Sequence, residues 1–313
     1  MTKYLVQRVL SGAALVFVLT SAIFFLVRGL GPNPAEYLAG DTATADQVSA
    51  IEEQIGVDRP LVAQYGDWFG HFIRGDLGSS WTGQGEVAQT ISASFPITLS
   101  IAVGALAVAL VLGFGIGTLA AARRGALDRF LQVLVIVGLA LPGFWLALML
   151  AQFFAVDLGW FPATGYTSFS ESPVEWLRSI TLPVIGLTVA TVAAISQQVR
   201  NSVIEVSGQD FVRTLRARGL PTRSILLKHV LRNAAGAPLT VAALHFVTAL
   251  SGAVAVERAF GLHGIGNKVQ IASISGDAPT LMSIVALTVI LVVLVNLATD
   301  VLLAWLNPKV RIS

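Results

Sequence analysis

Cysteine is absent from this 313-residue chain, which excludes disulfides, thiolate metal sites and cysteine nucleophiles. Charge is scarce: Asp, Glu, Lys and Arg are 12% of the residues and apolar types 55%, where a soluble domain carries roughly 25% charged residues. The solvent for most of this chain is therefore lipid. The four histidines, His71, His229, His245 and His263, fall in different segments without metal-ligand spacing. No metal site and no catalytic constellation is expected. A phosphate-binding loop fails as well, because Gly261 and Gly266 are followed by Asn267 and Lys268 and not by Lys and Ser or Thr. The net charge of only +2 gives no reason to expect nucleic acid as a partner.

Acidic and basic residues are missing altogether from six apolar stretches: 9–27, 95–122, 130–156, 179–199, 237–256 and 279–299. A helix needs about 20 such residues to cross the hydrocarbon layer, so the pattern predicts an all-α, polytopic bundle with about six spans. The first stretch is too long for a secretory leader and has no small-residue cleavage site after it, so it reads as a retained helix. Pro96, Pro142 and Pro183 are candidate kinks. No span holds a carboxylate of the kind that marks ion-coupled carriers. Asp157, Glu257 and Asp300 fall at span ends, where water or head groups are expected to reach them.

Basic residues near span ends favour the cytoplasmic side. With the N-terminus inside, Lys3, Arg8, Arg123, Arg124, Arg129, Arg200, Arg213, Arg216, Arg218, Arg223, Lys228, Arg232, Lys309 and Arg311 all lie inside, which is 14 of the 20. Both termini are then cytoplasmic, residues 29–94 form an external segment, and residues 200–236 form a cytoplasmic loop within a single 1–313 membrane domain.

The external segment is expected to be folded. Thr44 and Gln47 have capping-box spacing for a helix running toward Ile55, and Asp58-Arg59-Pro60 opens a second. Leu61, Tyr65, Trp68, Phe69 and Phe72 share one face of that second helix until Gly75 stops it. The face packs on the outer ends of the bundle or lies at the lipid surface.

The 200–236 loop is long for a bundle connection. Gly208-Gln209-Asp210 opens a short helix, with Asp210 at the favourable end of the dipole, and Gly219 followed by Pro221 closes it. Phe211, Leu215 and Val212 make the apolar strip, while Arg213, Arg216 and Arg218 stay polar. Such a helix, tied at both ends to spans, transmits a push from a soluble partner. Arginines that only set topology and touch anionic lipid are the alternative.

The run Gly208-Gln209-Asp210-Phe211-Val212-Arg213-Thr214-Leu215-Arg216-Ala217-Arg218-Gly219-Leu220, with His229-Val230-Leu231-Arg232-Asn233-Ala234 and Pro238, resembles the cytoplasmic loop of the dipeptide, oligopeptide and nickel ABC importer permeases. Similar matches are Gly31-Pro32-Asn33-Pro34-Ala35, Asp58-Arg59-Pro60 through Tyr65, Arg74-Gly75-Asp76-Leu77-Gly78-Ser79-Ser80 and Phe260-Gly261-Leu262-His263-Gly264-Ile265-Gly266. Departures are Leu215 where the family usually has Ala, Arg213-Thr214-Leu215 in place of Glu-Ala-Ala, and His263-Gly264-Ile265-Gly266 in place of Pro-Gly-Leu-Gly.

The resemblance implies a subunit of the bacterial inner membrane that works with a second related permease, two ATP-binding subunits and an external substrate-binding protein. Peptides or similar small solutes would be imported, and ATP and magnesium would sit in the partner subunits. It also implies that Gly208, Gln209, Asp210, Phe211, Arg213, Thr214, Arg216, Ala217, Arg218 and Gly219 meet an ATP-binding subunit. Gln132, Gln152, Thr248 and Asn296 join the uncharged polar residues inside the spans. Gln197, Gln198 and Asn201, with His245 and Ser251, are the candidate solute path. Gly113, Gly115 and Gly117 are read as close helix-packing positions. An autonomous channel or ion-coupled carrier with the same spans is the rival reading.

Overall fold

The computed structural model describes residues 2–83, 85–123 and 125–306, with side chains from residue 7 onward. Arg124, Lys309, Arg311 and the Lys3 side chain, all used above for orientation, lie outside the described residues. Helices follow one another as α1 (Thr2–Leu30), α2 (Pro34–Ala39), α3 (Ala45–Ile55), α4 (Leu61–Ile73), α5 (Val87–Ala122), α6 (Ala126–Ala140) and α7 (Gly143–Leu150), which continues as a π-helical turn, Ala151–Asp157. Then come α8 (Pro173–Ser207), α9 (Asp210–Ala217), α10 (Thr222–Ser224), a π-helical turn Ile225–Val230, α11 (Leu231–Ala234), α12 (Gly236–Ala259), α13 (Ile265–Ser275) and α14 (Ala278–Leu306).

Five of these are long and apolar enough to cross a membrane: α1, α5, α8, α12 and α14. The third expected span, 130–156, is not one rod. It divides into α6 and the α7 segment, bent by 96°. The break follows from Pro142, which lacks an N–H and drives Leu141 out of the helical region to φ −82°, ψ 123°. Counting the bent pair as one crossing gives six. Pro96 and Pro183 differ, lying within the unbroken α5 and α8. At 1.5 Å per residue α5 and α8 are each over ~50 Å long, so their ends project well beyond a ~30 Å hydrocarbon core.

The described chain forms two compact units, Met1–Thr98 with His263–Val293, and Leu99–Leu262 with Leu294–Ser313. In the first, the capping box opens α3: Thr44 Oγ1 accepts from the Gln47 N–H, and Gln47 Oε1 accepts from the Thr44 N–H at 2.9 Å. Gly56 closes it in the left-handed region at φ +72°. Helix α4 begins after Pro60 and ends through Gly75, whose N–H reaches Phe72 O while the Asp76 N–H reaches His71 O. Its aromatic face, half-buried, packs on the bundle. Leu61, Tyr65 and Trp68 pack on Phe24 of α1 and on Ala278 and Met282 of α14. Phe17 meets Phe69 edge-on at 5.4 Å, and Ser21 Oγ bonds Tyr65 Oη at 2.7 Å.

A buried carboxylate ties the 78–87 loop to the start of α14. Asp277 is fully buried and accepts from Ser80 Oγ (2.5 Å), the Trp81 N–H (3.2 Å), Thr82 Oγ1 (3.3 Å) and Thr280 Oγ1 (2.8 Å). Four donors compensate for the desolvation of that charge. Nothing in the sequence pairs residues almost 200 positions apart.

The second unit is organised by α8, on which α6, α7 and α12 pack. Small residues let backbones approach closely, as lipid-embedded helices require. A Cβ on Gly113 would lie 2.6 Å from Ile195 Cγ2, and one on Gly117 only 2.4 Å from Ser196 O. A Cβ on Gly186 would meet Ala147 at 2.5 Å. Gly115 meets nothing within 4 Å, so two of the three expected packing glycines touch α8 and the third faces away. Glu257 departs from expectation. It is fully buried, next to a turn at Gly261 (φ +58°) in which Phe260 and Leu262 are also buried and the Leu262 N–H bonds Glu257 O at 2.7 Å.

Candidate functional site

Residues 200–236 contain little loop. Helix α8 runs to Ser207 and α9 starts at Asp210, so two residues separate them. Gly208 ends α8, its N–H bonded to Glu205 O, and does not open α9. Gln209 is the N-cap residue, in extended conformation. Asp210 occupies the first helical position and pairs with Arg213 at 3.2 Å, with both side chains exposed. An exposed pair of this kind contributes little stability.

The end of α9 follows the expected glycine stop. Gly219 takes φ +77°, its N–H bonds Arg216 O at 2.9 Å, and the Leu220 N–H bonds Leu215 O at 3.3 Å. This is the paired closure that a left-handed residue after a helix permits, and Leu215 and Leu220 pack on the same apolar cluster.

The apolar strip differs in one residue from expectation. Val212 is the anchor, fully buried in a cluster with Val199, Val203 and Val206 of α8 and with Ile225 and Val230 of the π-helical turn. Phe211 is 37% exposed. Phe211 stands about 100° from Val212 around the helix with Leu215 between them, so the side on which α8 packs, nearer Val212, decides which of the two is core. Burying Val212 contributes about 1.5–3 kcal/mol and makes α9 one body with the end of α8. Phe211, Arg213, Thr214, Arg216, Ala217 and Arg218 are all exposed.

The candidate path residues are more dispersed. Gln197 and Gln198 are half-buried on α8, Asn201 is exposed and accepts from Arg200 at 3.4 Å, and His245 is half-buried on α12. Ser251 is exposed and donates to Val247 O of its own helix. Helices α8 and α12 pack together, yet no hydrogen bond links any two of these five side chains among the described residues. His245 and Ser251, six positions apart, do not share a face of α12.

Sequence reading missed the ion pair beside this site. Asp128, in the first turn of α6, accepts from Arg200 Nε at 2.6 Å and Arg200 Nη2 at 2.7 Å, a bidentate bridge to α8 with side-chain exposures of 12% and 22%. A carboxylate in an otherwise basic connection, between Arg123 and Arg129, was the available signal. Asp128 also sits at the helix end where negative charge is favoured. Asp128→Ala removes the carboxylate partner of a half-buried guanidinium and is expected to destabilise the chain by about 1.5–3 kcal/mol. The midpoint of thermal unfolding in detergent checks this. The exchange Asp128→Arg with Arg200→Asp is expected to recover only part of the loss, since it puts a cation at a helix N-terminus.

Residues 110–312 match the family described as binding-protein-dependent transport system inner membrane component, and residues 1–102 match the N-terminal membrane component of the same systems. The chain is 33% identical over 312 residues to the "Probable peptide ABC transporter permease protein y4tP" of Sinorhizobium fredii, covering 99% of this chain and 100% of that one. It is 32% identical to the glutathione transport system permease protein GsiC of Escherichia coli O6:H1, with 99% of each covered. Among solved structures, the inward-facing MetNI methionine ABC transporter has a similar fold: TM-score 0.55 at 20% identity, covering 71% of this chain and 96% of that one. The chain therefore belongs to the binding-protein-dependent transport system inner membrane components, as a multi-pass permease subunit of an ABC importer that leaves ATP hydrolysis to its partners.

Proposed function

We propose that this subunit forms half of the translocation pathway of an importer of peptides or similar small solutes, paired with a second, related permease. Two ATP-binding subunits that hold ATP and magnesium drive it, and an external substrate-binding protein loads it. The single observation that carries the coupling role is the build of α9. Val212 and Leu215 lock it to α8, while Phe211, Thr214, Ala217 and Arg218 stay open to a soluble partner. Closure of the ATP-binding subunits displaces α9, and the shared apolar cluster passes that displacement to α8 with little slack. Since α8 carries α6, α7 and α12, the bundle moves with it. The peptide assignment rests on the two relatives, one named for peptides and one for glutathione. The basic bias of 200–236 supports a cytoplasmic face for α9, with both termini on that side and the helices of 29–94 outside. Gln197, Gln198, Asn201, His245 and Ser251 are proposed to line the path, where uncharged groups bind solute weakly enough to release it.

Gly219→Val tests the coupling role. A side chain at Gly219 meets nothing within 4 Å, so the change acts on the backbone alone, straining a φ of +77° by about 1–3 kcal/mol. The chain is expected to reach the membrane and copurify with ATP-binding subunits, while peptide uptake falls about tenfold or more. Normal uptake would remove α9 from the mechanism. Purification of the chain without any ATP-hydrolysing subunit, under conditions shown to keep a known complex whole, would remove the partners.

A further inference from the structure

A cleft of about 700 Å³ opens between the end of α5, the end of α8, α9 and the π-helical turn. Arg123, Arg213 and Arg216 line it, and no carboxylate does among the described residues, although Arg213 also pairs with Asp210 at 3.2 Å. Its hydroxyls come from Ser207 and Thr222, and its floor from Val203, Ile225 and Val230, all buried. The three cations reach one space from two directions. Arg123 directly follows the apolar span of α5, and Arg213 and Arg216 stand on the flank of α9 next to Val212. Phe211 and Arg218 occupy the opposite flank, by the 100° phase of the helix.

We propose that this cleft binds the head group of an anionic phospholipid. Phosphate is the group that several guanidinium forks hold best, with charge-assisted and often bidentate bonds. Two features favour a lipid over a free ion. Arg123 is the first charged residue after the apolar run of α5, so one wall of the cleft stands at the end of a membrane-crossing segment, and the floor of the cleft is apolar. Leu227, 60% exposed on the neighbouring turn, extends that apolar surface outward. The bound lipid bridges α5 to α9 and holds the coupling helix against the bundle. The transporter's response to ATP then depends on the lipid around it, a property separate from what it carries and independent of the docking face on Phe211.

The test uses the assembled transporter in nanodiscs of phosphatidylcholine containing a minor fraction of phosphatidylglycerol, with bound lipid counted by native mass spectrometry. Arg123→Gln combined with Arg216→Gln removes two cations, each contributing about fivefold at a membrane surface, so retention of phosphatidylglycerol is expected to fall about thirtyfold. Lys228→Gln, an exposed cation outside the cleft, is expected to retain the lipid, which separates site binding from general charge. Equal unfolding midpoints in pure phosphatidylcholine establish that the double variant folds. Undiminished retention in that variant overturns the proposal. So does protection by inorganic phosphate equal to that by phosphatidylglycerol, which would make the site one for a free anion. Phosphatidylglycerol binding that appears only after the ATP-binding subunits are stripped away overturns it too, since a partner's acidic side chain would then fill the cleft.

Discussion

Gly117→Val is expected to abolish the folded transporter, while Gly115→Ala, two residues away, is expected to be harmless. A Cβ at 117 falls 2.4 Å from Ser196 O and 2.7 Å from Val199 Cβ, and neither a backbone oxygen nor the root of a β-branched side chain can move aside. Helices α5 and α8 must separate. Val199 is fully buried in the cluster that also holds Val212, so the separation reaches the seat of α9. Overpacking of this kind costs about 1–3 kcal/mol when neighbours relax, and here the obstacle is backbone, which places the change at the upper end or beyond. Even Gly117→Ala is expected to lower the unfolding midpoint. Gly115→Ala meets open space and gains up to ~1 kcal/mol of helix propensity. The amount of Gly117→Val recovered from the membrane, and thermal unfolding of the two alanine variants in one detergent, measure the contrast. Equal midpoints for the two alanine variants would mean that α5 and α8 do not meet at Gly117.

Phe211→Asp and Val212→Asp are expected to fail in opposite ways. Phe211 is partly exposed and lies outside the apolar cluster, so its replacement changes stability by no more than about 0.5 kcal/mol, as at most surface positions. It does remove the aromatic residue best placed to seat in a partner's groove. Such anchors carry about 2 kcal/mol or more of an interface, a loss of roughly thirtyfold in affinity. The chain is expected in the membrane in normal amount, with uptake and copurified ATPase activity lost together. Val212→Asp puts a carboxylate into a site with no solvent exposure, among apolar side chains, at a cost of several kcal/mol. That variant is expected to be missing from the membrane. A well-folded Phe211→Asp transporter that keeps its ATP-binding subunits and full uptake would show that the partner grips α9 by another side.

Legibility followed the range of the interaction. The capping box at Thr44 and Gln47, the stop at Gly75 and the stop at Gly219 each depend on residues within six positions of one another, and all three stand in the structure as expected. The ion pair of Asp128 with Arg200 and the four-donor shell of Asp277 span 72 and up to 197 positions. Their members look like ordinary loop residues until the chain is folded. Glu257 shows the same limit from the other side: a place at the end of an apolar stretch suggested water, but the folded chain buries it. Residues 130–156 had the composition of one span and a proline inside it. Whether a proline is absorbed, as at 96 and 183, or bends the chain by 96°, as at 142, depends on what the neighbouring helices hold in place.

By itself, the sequence determined the solvent, the helical class, the run of apolar spans and a short helix that Gly219 stops, because hydropathy and capping are summed over neighbours along the chain. Tertiary structure alone decided which side of that helix is anchored and which is offered. Val212 and Phe211 are adjacent and both apolar, and only the position of α8 makes one of them core and the other surface. It likewise brought Arg123 to Arg213 and Arg216 across some 90 residues, since a cleft is a property of several helix ends and of no single segment.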